Sequence, residues 1–137
     1  MLVKMFFKKE KTKNNNFLTK VCALLIHAAK IDESYTDKEE KIIIKTLEEL
    51  GLQKEKMSQT IEEAKIIEES SNQILDFTRE VKNLPKEHKI KIIESLWLII
   101  YSNKEADIYE TNLMRRLAGL LYIDTKTMGD IKERVKN

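Results

Sequence analysis

The chain has 137 residues, of which 42% are hydrophobic and 35% are charged, with three glycines and one proline. This composition is typical of a soluble globular domain and excludes a disordered chain, while the scarcity of turn-forming residues favours helices. The one cysteine, Cys22, excludes an intramolecular disulfide and fits a reducing compartment. We therefore expect a single domain over residues 1–137, located in the cytoplasm.

The net charge of +2 conceals an uneven distribution along the chain. Residues 1–20 hold six lysines against one glutamate, and residues 32–80 hold fourteen acidic residues against seven basic ones. Residues 81–137 hold eleven basic residues against eight acidic ones. An acidic middle between basic ends argues against a nucleic-acid groove along the molecule, so we expect no nucleic-acid partner. A protein partner with a basic surface fits the acidic middle better.

The first sixteen residues form an amphipathic, basic segment followed by a polar linker. Five lysines lie among apolar residues in MLVKMFFKKEKTK, ahead of a run of asparagines. Two interpretations stay open: a peripheral contact with an anionic membrane surface, or a first helix whose apolar side docks on the domain. The segment lacks the pattern of a secretory signal, and no apolar run in the chain is long enough to span a bilayer.

Three amphipathic helices are predicted in the first half, because apolar residues recur there at three- and four-residue intervals. Thr36 stands three positions before Glu39, a capping-box pattern that predicts the start of the second helix. Gly51 predicts its end, since glycine commonly follows the last turn of a helix. The helices are expected over residues 17–29, 36–50 and 54–69. Four glutamates of the third helix are expected to face water, namely Glu62, Glu63, Glu68 and Glu69.

Four further helices are predicted in the second half. The first begins at a capping-box pattern of Ser70 and Gln73, and the third at a similar pattern of Asp107 and Glu110. The second is apolar on nearly every side after Ile90, which predicts a central helix with Ile93 and Trp97 buried. No segment alternates with a period of two, so the fold class is predicted to be all-α. The four helices are expected over residues 70–84, 85–102, 107–121 and 125–136.

An internal duplication relates the two halves at an offset of 71 positions. The stretch Ala23–Leu52 aligns with Glu94–Ile123, and each copy consists of an apolar helix, a short polar stretch and a second amphipathic helix. Repetition of this kind is a signature of a repeated structural unit. We therefore predict a compact bundle of about seven helices built from two duplicated halves.

The repeated stretches AAKIDESYTDKEEKIII and LWLIIYSNKEADIYETNLMRRLAGLL resemble the tellurite-resistance TerB family. They lie where that family has an A-x-A-D-G-x-x-x-x-x-E pattern, at the end of one helix and the start of the next. The second stretch is more similar, especially in its LW pair and its LMRRLAGLL run. The resemblance covers about residues 17–135. The glycines of the pattern are replaced by Glu33 and Lys104, and the second aspartate is replaced by Asn103.

The resemblance implies a bundle of about seven helices with two related halves, in agreement with the predicted helix count. It implies a role linked to tellurite and other stress resistance, without an enzymatic reaction. It also implies acidic surfaces, for which divalent-metal binding has been proposed. The same helical module is similar to a domain of membrane-anchored DnaJ-type co-chaperones.

The two repeated acidic loops form a candidate metal site. Asp32 and Glu39 in one copy, and Asn103 and Glu110 in the other, supply the oxygen donors that Ca²⁺, Mg²⁺ and Mn²⁺ prefer. The duplication would set the two loops side by side. A structural interpretation stays open, because acidic residues near a helix N-terminus also complete capping boxes and interact favourably with the helix dipole. The two roles are compatible.

No arrangement in the sequence predicts catalysis or a bound organic cofactor. The chain contains no Gly-rich phosphate loop, no G-x-S-x-G motif and no Ser/His/Asp set, so we expect a non-enzymatic protein. His27 and His88 lack a second ligand at the spacing of a zinc site. Cys22, inside a helix and beside core positions, is expected to be a buried, inert thiol.

Overall fold

The computed structural model describes residues 17–31, 35–70, 75–79, 81–102 and 108–136. Within these ranges the regular structure consists entirely of helices, which confirms the predicted all-α bundle. The elements are α1 (17–29), α2 (Asp37–Glu49), α3 (Lys54–Ser70), α4 (Leu75–Thr78), a 3-10 turn (Val81–Asn83), α5 (Lys86–Tyr101), α6 (Ile108–Leu120) and α7 (Thr125–Lys136).

Helix α5 lies at the centre of the core, as its apolar sequence predicts. It packs against α2 on one side and α7 on another, and Ile93 and Trp97 are 0% and 2% exposed. The hydroxyls of Thr46 in α2 and Ser95 in α5 form a buried hydrogen bond of 2.6 Å between the two helices. Each hydroxyl also lies within hydrogen-bond distance of a carbonyl one turn earlier in its own helix, so these two polar side chains are satisfied where the helices meet.

Helix α2 is delimited by sequence-local signals at both ends. A capping box at Thr36 begins it, as predicted. At its end, the amide of Gly51 donates to the carbonyl of Glu48, and the amide of Leu52 donates to that of Leu47, at 3.0 and 2.9 Å. This pair of hydrogen bonds is a Schellman motif, which requires a left-handed residue after the last turn. Gly51 supplies it with φ of +105°.

Helix α6 ends in the same motif, although a tyrosine takes the place of glycine. The amide of Tyr122 donates to the carbonyl of Gly119 at 3.3 Å, and the amide of Ile123 donates to that of Ala118 at 2.9 Å. Tyr122 has φ of +58°, the one positive φ among the described non-glycine residues. A side chain in this conformation is strained by roughly 1–2 kcal/mol.

Lys89 stabilises this second turn from within the core. The residue is only 8% exposed, and its Nζ donates to the carbonyls of Leu121 at 2.9 Å and Lys82 at 3.3 Å. The same nitrogen lies 5.8 Å from the centroid of the Tyr122 ring. A buried ammonium group is tolerated here because two carbonyl oxygens accept its hydrogen bonds, that of Leu121 at the C-terminal end of α6 and that of Lys82 in the 3-10 turn.

The helix boundaries of the two halves correspond at the predicted offset. Both α2 and α6 have 13 residues, and each starts and ends 71 positions from the other. The first residues of α3 and α7, Lys54 and Thr125, are also 71 positions apart. These equivalences agree with the duplication, which itself stays a prediction from the sequence.

The prediction of one continuous helix over residues 70–84 is wrong. Ser70 is the last residue of α3, where its hydroxyl donates to the carbonyls of Ile66 and Ile67, so it does not cap a new helix. The short helix α4 and the 3-10 turn occupy the described part of this segment instead. Phe77 and Val81 are 1% and 0% exposed, so the short helix and the turn still bury the apolar residues of this segment.

Candidate functional site

Glu39 combines deep burial with a structural role at the start of α2. It is 1% exposed, and its Oε1 accepts hydrogen bonds from the amide of Thr36 at 2.8 Å and from the Thr36 hydroxyl at 2.9 Å. The amide of Glu39 donates back to Thr36 Oγ1 at 3.2 Å. The predicted capping box is therefore confirmed, and this carboxylate acts at least as a helix cap.

Glu110 occupies the equivalent position in the first turn of α6 and is 7% exposed. A buried glutamate thus stands at matching points of both halves. The other two predicted ligands, Asp32 and Asn103, lie outside the described residues, as does Asp107, the predicted cap of α6. The structure therefore describes two of the four side chains of the candidate metal site.

A contact between α2 and the end of α5 brings the flanks of the two acidic loops together. Nζ of Lys38, in the first turn of α2, donates to the carbonyl of Ser102 at 3.4 Å. Ser102 caps the C-terminal end of α5 and immediately precedes Asn103. The point where the chain enters α2 therefore lies beside the point where it leaves α5. The contact also places a positive charge at the same location.

Tyr35 and Glu40 connect the start of α2 to α3. The Tyr35 hydroxyl donates to Glu40 Oε1 at 3.5 Å, and Nζ of Lys65 lies 3.9 Å from the same oxygen. The ammonium group also lies 5.7 Å from the Tyr35 ring centroid. Burial, reinforced by the charge of Glu40, raises the pKa of the Tyr35 hydroxyl, which stays protonated at neutral pH. Glu40 therefore serves as a link to α3.

Glu68 is a largely buried link between α1 and α3, and the prediction that it faces water is wrong. Its side chain is 10% exposed, with Oε2 accepting from Lys30 Nζ at 2.8 Å and Oε1 lying 3.4 Å from His27 Nδ1. The His27 ring also lies 5.9 Å from that of Phe77. Glu62, Glu63 and Glu69 are exposed as predicted. Lys30 immediately follows α1 and lies about one turn after His27, so both side chains reach Glu68. The apolar spacing within either helix does not reveal this contact.

Cys22 is buried, as predicted. Removal from water raises the pKa of its thiol to about 12, and the nearby charge of Lys65 opposes only part of this effect. Because the thiolate is the reactive form, this cysteine is a poor nucleophile and a poor metal ligand at neutral pH. Over the described ranges, no group of three or more His, Cys, Asp and Glu side chains is arranged to hold a metal ion.

None of the helices in the described ranges is both long and apolar enough to cross a membrane. The predicted contact of the N-terminal segment with an anionic membrane surface concerns residues 1–16, which lie outside those ranges. That interpretation, like the protein partner, stays a prediction.

The fold and the buried glutamates define a small all-helical domain in which two helices of equal length begin with a similar carboxylate. The family described as tellurite resistance protein TerB matches residues 18–133, and the chain belongs to this family. The match covers both acidic loops and all seven helices except the ends of the first and last. No curated protein and no solved structure matches the chain.

Proposed function

We propose that this TerB-family domain is a non-enzymatic interaction module of a stress response, and that it binds a divalent cation between its two acidic loops. The proposed ligands are Asp32, Glu39, Asn103 and Glu110, with Ca²⁺, Mg²⁺ or Mn²⁺ as the ion. The contact of Lys38 with Ser102 is the single observation that most supports it, since it joins the flanks of the two loops.

The burial of Glu39 and Glu110 adds a physical reason for a cation. If the two loops meet, these carboxylates, both removed from water, would repel each other, and a divalent cation would offset that repulsion. Glu39 would bind through Oε2, because Oε1 already accepts two hydrogen bonds from Thr36. Capping and binding would therefore use different atoms of one carboxylate. Asn103 contributes a neutral carbonyl oxygen, which lowers the expected affinity.

Lys38 supplies the competing explanation for how the acidic loops are neutralised. Its ammonium group lies at the junction of α2 and α5, where it would repel an incoming cation. If a cation binds there, the Lys38→Met variant should bind it more tightly than the natural chain. If the ammonium group is itself the counter-charge, the same substitution should destabilise the fold and leave cation binding absent.

Calorimetric titration of the full chain with Ca²⁺, Mg²⁺ and Mn²⁺ tests the proposal. Binding should tighten in Asn103→Asp, which adds a charge, and weaken in Asp32→Asn, which removes one. Thermal melts should show stabilisation by millimolar cation, since the unfolded chain does not gather these oxygens. The matched control is Glu55→Gln, an exposed acid of α3 that should change neither result. Melting curves that are identical with and without cation would remove the proposed site.

The Glu39→Gln variant distinguishes a cation-binding role of Glu39 from a purely capping role. Glutamine also completes a capping box, so a pure cap predicts nearly unchanged stability with or without metal. A cation ligand predicts a variant that folds normally and loses most of its stabilisation by metal. The non-enzymatic role has its own test: turnover by the purified protein that one substitution abolishes would contradict it.

A further inference from the structure

Tyr122 is exposed in a conformation that its side chain disfavours. The residue is 71% exposed, and its φ of +58° is positive, like the φ of +105° that Gly51 adopts without a side chain in the equivalent turn of α2. Burial therefore does not account for a tyrosine at this position, and glycine would satisfy the turn. Strained residues that stay exposed are concentrated at functional surfaces, and tyrosine is enriched where proteins contact each other.

Lysines lie near the turn that contains Tyr122, together with the acidic residue Asp124. The buried Lys89 donates to the carbonyl of Leu121, next to Tyr122, and to the carbonyl of Lys82. Hydrogen bonds from Thr127 lower the pKa of the exposed Asp124 carboxyl, and the nearby charges of Lys86 and Lys126 lower it further. We call this surface the basic end, defined as Tyr122 with Lys86, Lys126 and Asp124, in which two lysines outweigh one acid.

An exposed acidic stripe runs along α3. Glu55, Glu62 and Glu69 recur at the seven-residue spacing that places side chains on one helix face. Ile66, at 65% exposure, lies one turn after Glu62 and one turn before Glu69 on the same face. We call this surface the acidic stripe. Ile66 and Tyr122 are two of the three large hydrophobic side chains exposed in the described residues, the third being Leu98.

We propose that the basic end of one copy of this chain docks on the acidic stripe of a second copy, with Tyr122 against Ile66. The two surfaces match in charge, and each offers one large apolar side chain to bury. Within one copy they do not cover each other, since both side chains are exposed. Such a contact is heterologous, so copies add head to tail into short filaments or rings. This proposal does not depend on the cation site.

Sedimentation velocity of the full chain, over a range of concentrations and salt, measures the pairing. Two exposed acids of the stripe are reversed in Glu62→Lys with Glu69→Lys, and two lysines of the basic end in Lys86→Glu with Lys126→Glu. Each double reversal should weaken self-association by at least about tenfold, because like charges then face each other. Acidic residues at helix starts and a lysine at a helix end suit the dipole, which protects the fold of these variants.

Mixtures of the two double variants test whether the partner is a second copy of this chain. An equal mixture of the two variants should associate again, because the natural basic end of one variant matches the natural acidic stripe of the other, and the two reversed surfaces also match each other in charge. All four reversals in one chain should restore self-association. The matched control reverses Glu48 and Glu133, two exposed acids outside both surfaces, and should associate like the natural chain.

Tyr122 variants separate recognition from folding. Tyr122→Gly relieves the strain in the turn, so it should fold at least as well as the natural chain and yet lose most self-association. Tyr122→Phe should retain it. A natural chain that is monomeric at every concentration and salt would overturn the proposal, as would self-association that both charge reversals leave intact. Binding of phosphatidylserine liposomes through Lys86 and Lys126 by a monomeric chain would likewise overturn it, because the occupant is then a membrane.

Discussion

The turns that end α2 and α6 have the same hydrogen bonds and different residues in the left-handed position. Gly51 adopts φ of +105° with no side chain, whereas Tyr122 adopts +58° and keeps an exposed ring near Lys89. The first turn is explained by local sequence alone, because glycine is the usual residue after the last turn of a helix. The second turn needs a lysine from another helix. Equivalent backbone therefore does not imply equivalent surface chemistry.

The largest expected effect lies beneath the first of these turns. Leu47 is the α2 residue whose carbonyl accepts the Schellman bond, and it is 0% exposed, while Ala118 holds the same position in α6. Leu47→Ala places alanine at this position in both turns and should lower the free energy of unfolding by about 2–5 kcal/mol through lost burial and a cavity. Urea denaturation measures it. Leu98→Ala, at a 40% exposed leucine, is the control, and an equally small loss at Leu47 would contradict its core position.

A smaller effect is expected from the backbone of the first turn. No atom lies within 4 Å of a Cβ placed on Gly51, so Gly51→Ala meets no steric obstacle beyond its own φ of +105°. The variant should lose about 1–3 kcal/mol of unfolding free energy, as residues held in disfavoured backbone regions do. Gly129→Ala, in the middle of α7 with similar open space, is the matched control and should not destabilise. Equal behaviour of both variants would show that the turn at Gly51 tolerates a side chain.

The reciprocal substitution in the second turn should have the opposite sign. Tyr122→Gly removes the left-handed strain and also the contact with Lys89, worth about 0.5–1 kcal/mol at an exposed site. We expect a gain in unfolding free energy of no more than about 1 kcal/mol. Urea denaturation of Tyr122→Gly, Gly51→Ala and the natural chain under the same conditions measures this. Destabilisation of both variants would mean that the Tyr122 ring stabilises the fold more than its strain destabilises it.

The smallest effect concerns pH at the start of α7, the helix equivalent to α3. Asp124 Oδ1 accepts from the amide of Thr127 at 2.7 Å, and hydrogen bonds from Thr127 hold the pKa of Asp124 below its ordinary value of 3.8. Its contribution to stability is therefore present above that value and is lost as pH falls through the lowered pKa. Asp124→Asn keeps a cap without a titrating group. The natural chain should lose more stability than this variant on acidification, and parallel curves would contradict that.

Much of the fold could be predicted from the sequence, because its helices carry regular apolar spacing and clear ends. The helix over 125–136 appears at the predicted bounds, and the first helix ends at residue 29 as predicted. The apolar spacing over 70–84 did not reveal the short helix and 3-10 turn, since a continuous helix would bury Phe77 and Val81 on one face equally well. The capping-box pattern also predicted the wrong role for Ser70. A serine hydroxyl can accept from an amide at the start of a helix or donate to a carbonyl at its end, and Ser70 does the latter.

The candidate site divides in the same way. The capping role of Glu39 follows from four consecutive residues, so the sequence was sufficient to predict it. Other contacts join residues that are far apart in the chain, so no local sequence pattern predicts them. They are the contacts of Lys89 with Leu121, Glu68 with Lys30, and Lys38 with Ser102. One sequence feature indicated the positive φ of Tyr122: Gly51, which also has a positive φ, lies 71 positions earlier. This correspondence is visible only when the two halves are aligned.

The central claim is that both acidic loops hold one divalent cation, and paramagnetic Mn²⁺ tests it most directly. Bound Mn²⁺ broadens the amide resonances of nearby residues in an NMR spectrum, and the effect falls steeply with distance. If one ion lies between the loops, amides in the first turns of α2 and α6 should broaden together, at the same low Mn²⁺ concentration, and recover on chelation. Broadening confined to one loop, or spread over the exposed glutamates of α3 with neither loop affected, would contradict the claim.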